Sequence, residues 1–100
     1  MDPKITVAEN HVLVRLSGSI YVKEADQVRE SLIGFIDKGY KRFIIDFGSV
    51  DYIDSSGLGT LVAIQKRALE NGGSIVIQGL HGSVKYLFEL TRLDRVFEIR

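Results

Sequence analysis

The stretch Phe43-Ile44-Ile45-Asp46-Phe47-Gly48-Ser49-Val50-Asp51-Tyr52-Ile53-Asp54-Ser55-Ser56-Gly57-Leu58-Gly59 decides the fold. It opens on a compact, β-branched, nearly continuous apolar run, the pattern of a strand buried on both faces. Gly48 to Ile53 reads as a connection. Helical spacing then takes over at Leu58, Leu61, Val62, Ala68 and Leu69, and Asn71-Gly72-Gly73 closes that helix. Asp46 is polar within an apolar run. It is expected near the strand's end, where a backbone amide or water satisfies it.

The same two periods extend in both directions. Toward the C-terminus, Ser74 to Gln78 is a second buried strand around Ile75-Val76-Ile77. Gly79-Leu80-His81-Gly82-Ser83 is a glycine-rich turn with Ser83 as helix cap, and its place before a helix also makes it a candidate for the binding rim. Val84, Leu87, Phe88 and Thr91 mark a third helix, and Val96 to Ile99 a last strand. Toward the N-terminus, Lys4 to Ala8 alternates, Glu9-Asn10-His11 turns, and Val12, Val14 and Leu16 alternate again until Gly18 ends the strand. From Val22 to Lys38 the period becomes helical at Ala25, Val28, Leu32, Phe35 and Ile36. The order β-β-α-β-α-β-α-β predicts an α/β single domain over residues 1–100. Its sheet is mixed but mostly parallel, with right-handed crossovers and helices on at least one face.

Composition excludes whole function classes. Thirteen basic and 13 acidic side chains balance in 100 residues, so no general pull toward nucleic acid or anionic lipid is expected. The chain has no cysteine, and only His11 and His81 as histidines, so neither a disulfide nor a metal centre is expected. Gly57-Leu58-Gly59 is too short for a dinucleotide fingerprint and there is no P-loop, so no cofactor is expected. Met1-Asp2-Pro3-Lys4-Ile5 lacks the apolar run of a signal peptide, and no apolar run could span a bilayer. A cytoplasmic location without membrane contact follows as the expectation. No histidine or lysine is placed beside Ser55 by any catalytic motif, and a nucleophile elbow would need glycine where Ile53 stands. The chain is therefore expected not to be an enzyme.

What remains is the segment around Asp54-Ser55-Ser56. Each of these can cap a helix by offering an oxygen to orphan amides. Gly57 and Gly59 each cost a helix roughly 1 kcal/mol against alanine. Their presence in the first turns implies a need for bare backbone, through close internal packing or access for a partner. A hydroxyl here stands at the carboxyl edge of a parallel sheet, and the helix end tolerates negative charge, so a phosphate on Ser55 fits the fold.

Asp54-Ser55-Ser56-Gly57-Leu58-Gly59 resembles the signature of STAS domains of the bacterial anti-sigma factor antagonist type. The resemblance extends over Leu16-Ser17-Gly18, Phe43 to Phe47, Val50 to Ile53, Gly72-Gly73, and Val84 to Thr91 with Leu93 and Val96-Phe97. It implies a phosphorylation-controlled binding switch. Ser55 would be the regulated serine, modified by an anti-sigma factor serine kinase that brings its own ATP and restored by a metal-dependent serine phosphatase. The unmodified protein would bind the kinase and release a sigma factor. Asp54, Ser56, Gly57, Leu58 and Gly59 would form the contact surface.

The sequence departs from that pattern at Tyr21, which stands where phosphorylated members commonly carry an aspartate. Tyr21 is expected near Ser55, adding aromatic contact area. The family also usually continues into a C-terminal helix, whereas this sequence stops at Arg100. A monomer or weak homodimer is expected. These departures leave a second expectation open: a non-switching STAS scaffold or transport-associated subunit.

Overall fold

Alternating side chains build the first hairpin, β1 (Lys4–Ala8) and β2 (His11–Ile20), with Ile5 opposite Val14 and Val7 opposite Val12. A computed structural model describes residues 3–100; Met1 and Asp2, where the N-terminal reading above begins, lie outside the described residues. The chain continues through α1 (Val22–Asp37), β3 (Arg42–Ile53), α2 (Ser55–Glu70), β4 (Ser74–Gln78) and α3 (Gly82–Leu90). A short 3-10 turn, Leu93–Arg95, leads into β5 (Glu98–Ile99). The strands lie in the order β1-β2-β3-β4-β5. The first pair is antiparallel and the rest are parallel, so the expected mixed α/β architecture is present.

Strands added in sequence order by crossovers of one hand put every helix on the same side of the sheet. That side carries Val12, Val14, Leu16, Phe43, Ile45, Phe47, Ile75 and Ile77, all at most 1% exposed. Against it pack Val28, Leu32 and Ile36 of α1, Leu61, Ile64 and Ala68 of α2, and Val84 and Phe88 of α3. Phe88 meets Phe47 edge-on at 5.7 Å between ring centroids. Burial of each large apolar side chain contributes about 1.5–3 kcal/mol.

One-sided packing corrects the reading of Phe43 to Phe47 as buried on both faces. Ile44 and Asp46 point to the far side and are only half-buried. Asp46 is also not near its strand's end. Its Oδ1 accepts the Gly48 N–H at 2.8 Å, and its Oδ2 lies 3.5 Å from Arg15 Nε. The backbone amide expected for it is therefore supplied two residues along its own strand.

Gly48 to Ile53 is not a connection but the second half of β3. β4 stops pairing at Gln78, and beyond that point β3 pairs with β2 alone. Gly18 does not end β2: it sits within the strand at φ 73°, where the register to β3 shifts. A side chain would be strained in that conformation. The bulges break strict alternation, so burial recurs at Phe47, Val50 and Ile53 and hides the strand from a period of two.

Three smaller boundaries also move. Ser83 lies inside the first turn of α3, and His81 takes the cap position, with its Nε2 3.1 Å from the Gly48 carbonyl. Val96 follows the 3-10 turn and is not part of β5. On α2, Leu69 is exposed, while Ile64 and Gln65 take the buried positions. Gln65 donates from Nε2 to the Val96 carbonyl at 2.9 Å and accepts the Ile75 N–H at 3.2 Å, tying α2 to β4 and the C-terminal segment.

Gln65→Leu leaves both backbone groups without a partner and should destabilise the fold by about 2–4 kcal/mol in urea unfolding. Gly34→Ala should act oppositely. Gly34 is exposed inside α1, nothing lies within 4 Å of an added Cβ, and the helix should gain about 0.5–1 kcal/mol.

Candidate functional site

The two central parallel strands end level with each other. Ile20 pairs with Ile53, and the Asp54 N–H then donates to the Ile20 carbonyl at 3.2 Å. The next residue of each chain segment caps a helix: Tyr21 for α1 and Asp54 for α2. Two helix N-termini therefore sit side by side at the carboxyl edge of the sheet, the edge at which open α/β folds place their ligands.

Of the three candidate caps, the structure uses Asp54. Its Oδ1 accepts the Gly57 N–H at 2.9 Å, and its carbonyl accepts the Leu58 N–H at 3.1 Å. This choice leaves the serines free of capping duty. Ser55 is the first residue of α2 and is exposed; Ser56 is half-buried. No hydrogen bond engages the Ser55 hydroxyl among the described residues.

The two glycines serve different ends. A Cβ on Gly57 would stand 2.6 Å from Ile53 Cγ1 and 3.3 Å from Ile20 Cγ2, so close internal packing explains its lack of a side chain. Gly57 and Leu58 are buried, and the void between Gly57 and Ile20, Phe47, Ile53 and Leu61 is about 10 Å³. That is at the lower limit for one water, so Ser55 rests on solid packing. Gly59 lies one helical turn beyond Ser55 and is exposed, and a Cβ there would meet nothing within 4 Å. Internal sterics give no reason for glycine at that position.

Tyr21 is brought to this rim, as expected, and it does not come alone. Ser19 pairs with Tyr52, which sets the Tyr52 ring 5.4 Å from the Tyr21 ring. Tyr52 escaped the sequence reading because it was assigned to a connection; the strand register is what joins it to Tyr21. Glu24 accepts the Tyr21 N–H at 2.9 Å. Exposed Asp51 and half-buried Asp54 add to the negative charge, and Lys23 is the single basic residue in 19–24 and 48–58. The Gly79 to Ser83 turn packs against Asp46 and Gly48. Among the described residues, no group of three or more His, Cys, Asp or Glu could hold a metal ion, and no helix is long and apolar enough to cross a membrane.

The profile of the STAS domain family matches residues 2–100. The chain belongs to the STAS domain family. This STAS domain is 33% identical over 91 residues to the anti-sigma-B factor antagonist of Bacillus subtilis, covering 91% of this chain and 83% of that one. It is 32% identical over 91 residues to the protein of the same name from Listeria monocytogenes, covering 91% and 80%. An anti-sigma factor antagonist from Mycobacterium paratuberculosis superposes with a TM-score of 0.85 at 20% identity, over 97% of this chain and 82% of that one. Unphosphorylated SpoIIAA superposes at 0.75 and 21% identity, over 94% and 96%. These structures share the fold.

Within this STAS domain, Gly57→Ala should destabilise by about 1–3 kcal/mol, because the added methyl has no room beside Ile53. Asp54→Ala, which removes the α2 cap, should cost about 1 kcal/mol. Thermal unfolding of each variant measures both.

Proposed function

We propose that this protein is an anti-sigma factor antagonist whose binding to an anti-sigma factor serine kinase is switched off by a phosphate on Ser55. The observation that supports this best is the Ser55 hydroxyl: exposed, without a hydrogen bond among the described residues, at the head of α2 on a closely packed base. The names of the B. subtilis and L. monocytogenes relatives support the class of partner. SpoIIAA, which shares the fold, has been solved in a phosphorylated form.

The chemistry belongs to the partner. The Ser55 oxygen attacks the γ-phosphorus of kinase-bound ATP, the bond to ADP breaks, and the hydroxyl proton passes to a base of the kinase. A metal-dependent serine phosphatase returns the serine by hydrolysis, releasing inorganic phosphate. This chain supplies the acceptor oxygen and the surface around it, and is not itself an enzyme. Its site of action is where sigma factors work, in the cytoplasm.

Phosphate adds about −1.5 to −2 charges at pH 7. Segments 19–24 and 48–58 offer it one lysine and no arginine, so neither segment supplies a guanidinium fork to fold back onto, and the phosphate projects toward the partner. Asp54, Ser56 and Gly59 border it, with Gly59 letting the partner's backbone come close, while Gly57 and Leu58 hold the turn from beneath. Release then follows from repulsion between the new phosphate and the nucleotide phosphates of the kinase.

Tyr21, in place of the family's aspartate, favours a second reading: a STAS scaffold that binds without switching. One experiment separates the two. Incubation with ATP and a purified anti-sigma factor serine kinase from the same cells should add one phosphate by intact mass, mapped to Ser55 and absent in Ser55→Ala. Ser55→Asp should keep its melting temperature and lose about tenfold or more in affinity. Unchanged affinity in Ser55→Asp, with no phosphate incorporated, would contradict the switch.

A further inference from the structure

Tyr21 and Tyr52 form a partly exposed ring pair at the rim. They are 51% and 45% exposed, with centroids 5.4 Å apart and planes at 42°. Tyr21 occupies a helix cap position yet makes no side-chain cap hydrogen bond, where aspartate or serine would give about 1 kcal/mol more stability. Val22, 56% exposed, extends the apolar surface beside the pair. Two aromatic rings about half exposed, one of them at a cap position that a shorter polar side chain would serve better, mark the rim that carries Ser55 as a contact surface. Exposed aromatic side chains are the residues on which interface affinity concentrates.

The charge around the pair selects the occupant. Glu24, Asp51 and Asp54 supply three carboxylates in 19–24 and 48–58 against the single ammonium of Lys23. Ring faces and carboxylates both attract cations. Among side chains, a guanidinium alone can stack on a tyrosine face and also pair with a carboxylate in a fork. We propose that the Tyr21–Tyr52 pair, with Asp51 next to Tyr52 in sequence and Asp54 capping the neighbouring helix, is the anchor that receives an arginine of the partner kinase. This rests on the reading of Ser55 as the kinase's substrate. The interface then has two separate parts. The ring pair supplies affinity through its attraction for a cation, and Ser55 supplies control through repulsion between its phosphate and the kinase's nucleotide.

The test uses the full chain and the kinase that phosphorylates Ser55, with affinity measured by calorimetry at low and high salt. Circular dichroism confirms that each variant is folded. Tyr21→Ala and Tyr52→Ala should each weaken binding about 30-fold. Tyr86→Ala, at a 64% exposed tyrosine of α3, should stay within about twofold. Wild-type affinity should fall as salt rises, and Asp51→Asn should flatten that dependence. If the tyrosine variants bind like wild type while Ser55→Asp does not, the anchor is overturned and the switch stands. An equal loss in Tyr86→Ala would also overturn the anchor. Salt-independent binding would overturn the cationic occupant. Failure of the unmodified wild type to bind the kinase would overturn both readings together.

Discussion

The Asp54 N–H donates to the Ile20 carbonyl, 3.2 Å from nitrogen to oxygen, one residue beyond the last Cα pair of β2 and β3. This bond continues the parallel ladder to the point where both strands turn into helices. It brings the caps of α1 and α2 together, so residues from two distant segments share one rim. Gly57 locks the arrangement, since only a residue without a Cβ fits against Ile53 and Ile20. A Ser55 hydroxyl mounted this way stands out from a surface that has no room to shift beneath it.

That rigidity shapes how a phosphate would act. The neighbourhood is acidic at Glu24, Asp51 and Asp54, with Lys23 the single cation in segments 19–24 and 48–58. The amino end of α2 favours negative charge while the Asp54 carboxylate opposes it, so the fold gains little and loses little. Under the proposed switch, the free-energy change would fall on the complex with the partner, where charges are brought close and water is excluded.

The repeating parts of the fold were legible in the sequence because burial on one side imposes a period. The Val12, Val14 and Leu16 alternation and the Ala25, Val28, Leu32 and Ile36 spacing each match their elements. Phe43 to Phe47 was legible as a strand, but its continuous apolar character concealed that every helix lies on one face. That feature comes from strand order, which a local pattern does not carry. The end of β3 was hidden for a different reason. Bulges near Gly18 shift the register, so Gly48 to Ile53 shows neither alternation nor helical spacing. At the site, Asp54-Ser55-Ser56 announced a helix start, but which residue caps it depended on coordinates. Tyr52 gained its meaning only through its pairing with Ser19.

The central claim is that modification changes the surface charge at Ser55 and leaves the fold untouched. Amide proton–nitrogen spectra of the protein before and after stoichiometric phosphorylation test it most directly. The account predicts shifts confined to residues 19–24 and 51–60, with β4, α3 and the rest of the core unmoved. Shifts spread through the sheet and the far helix would contradict it, because they would mean that the phosphate works by rearranging the domain.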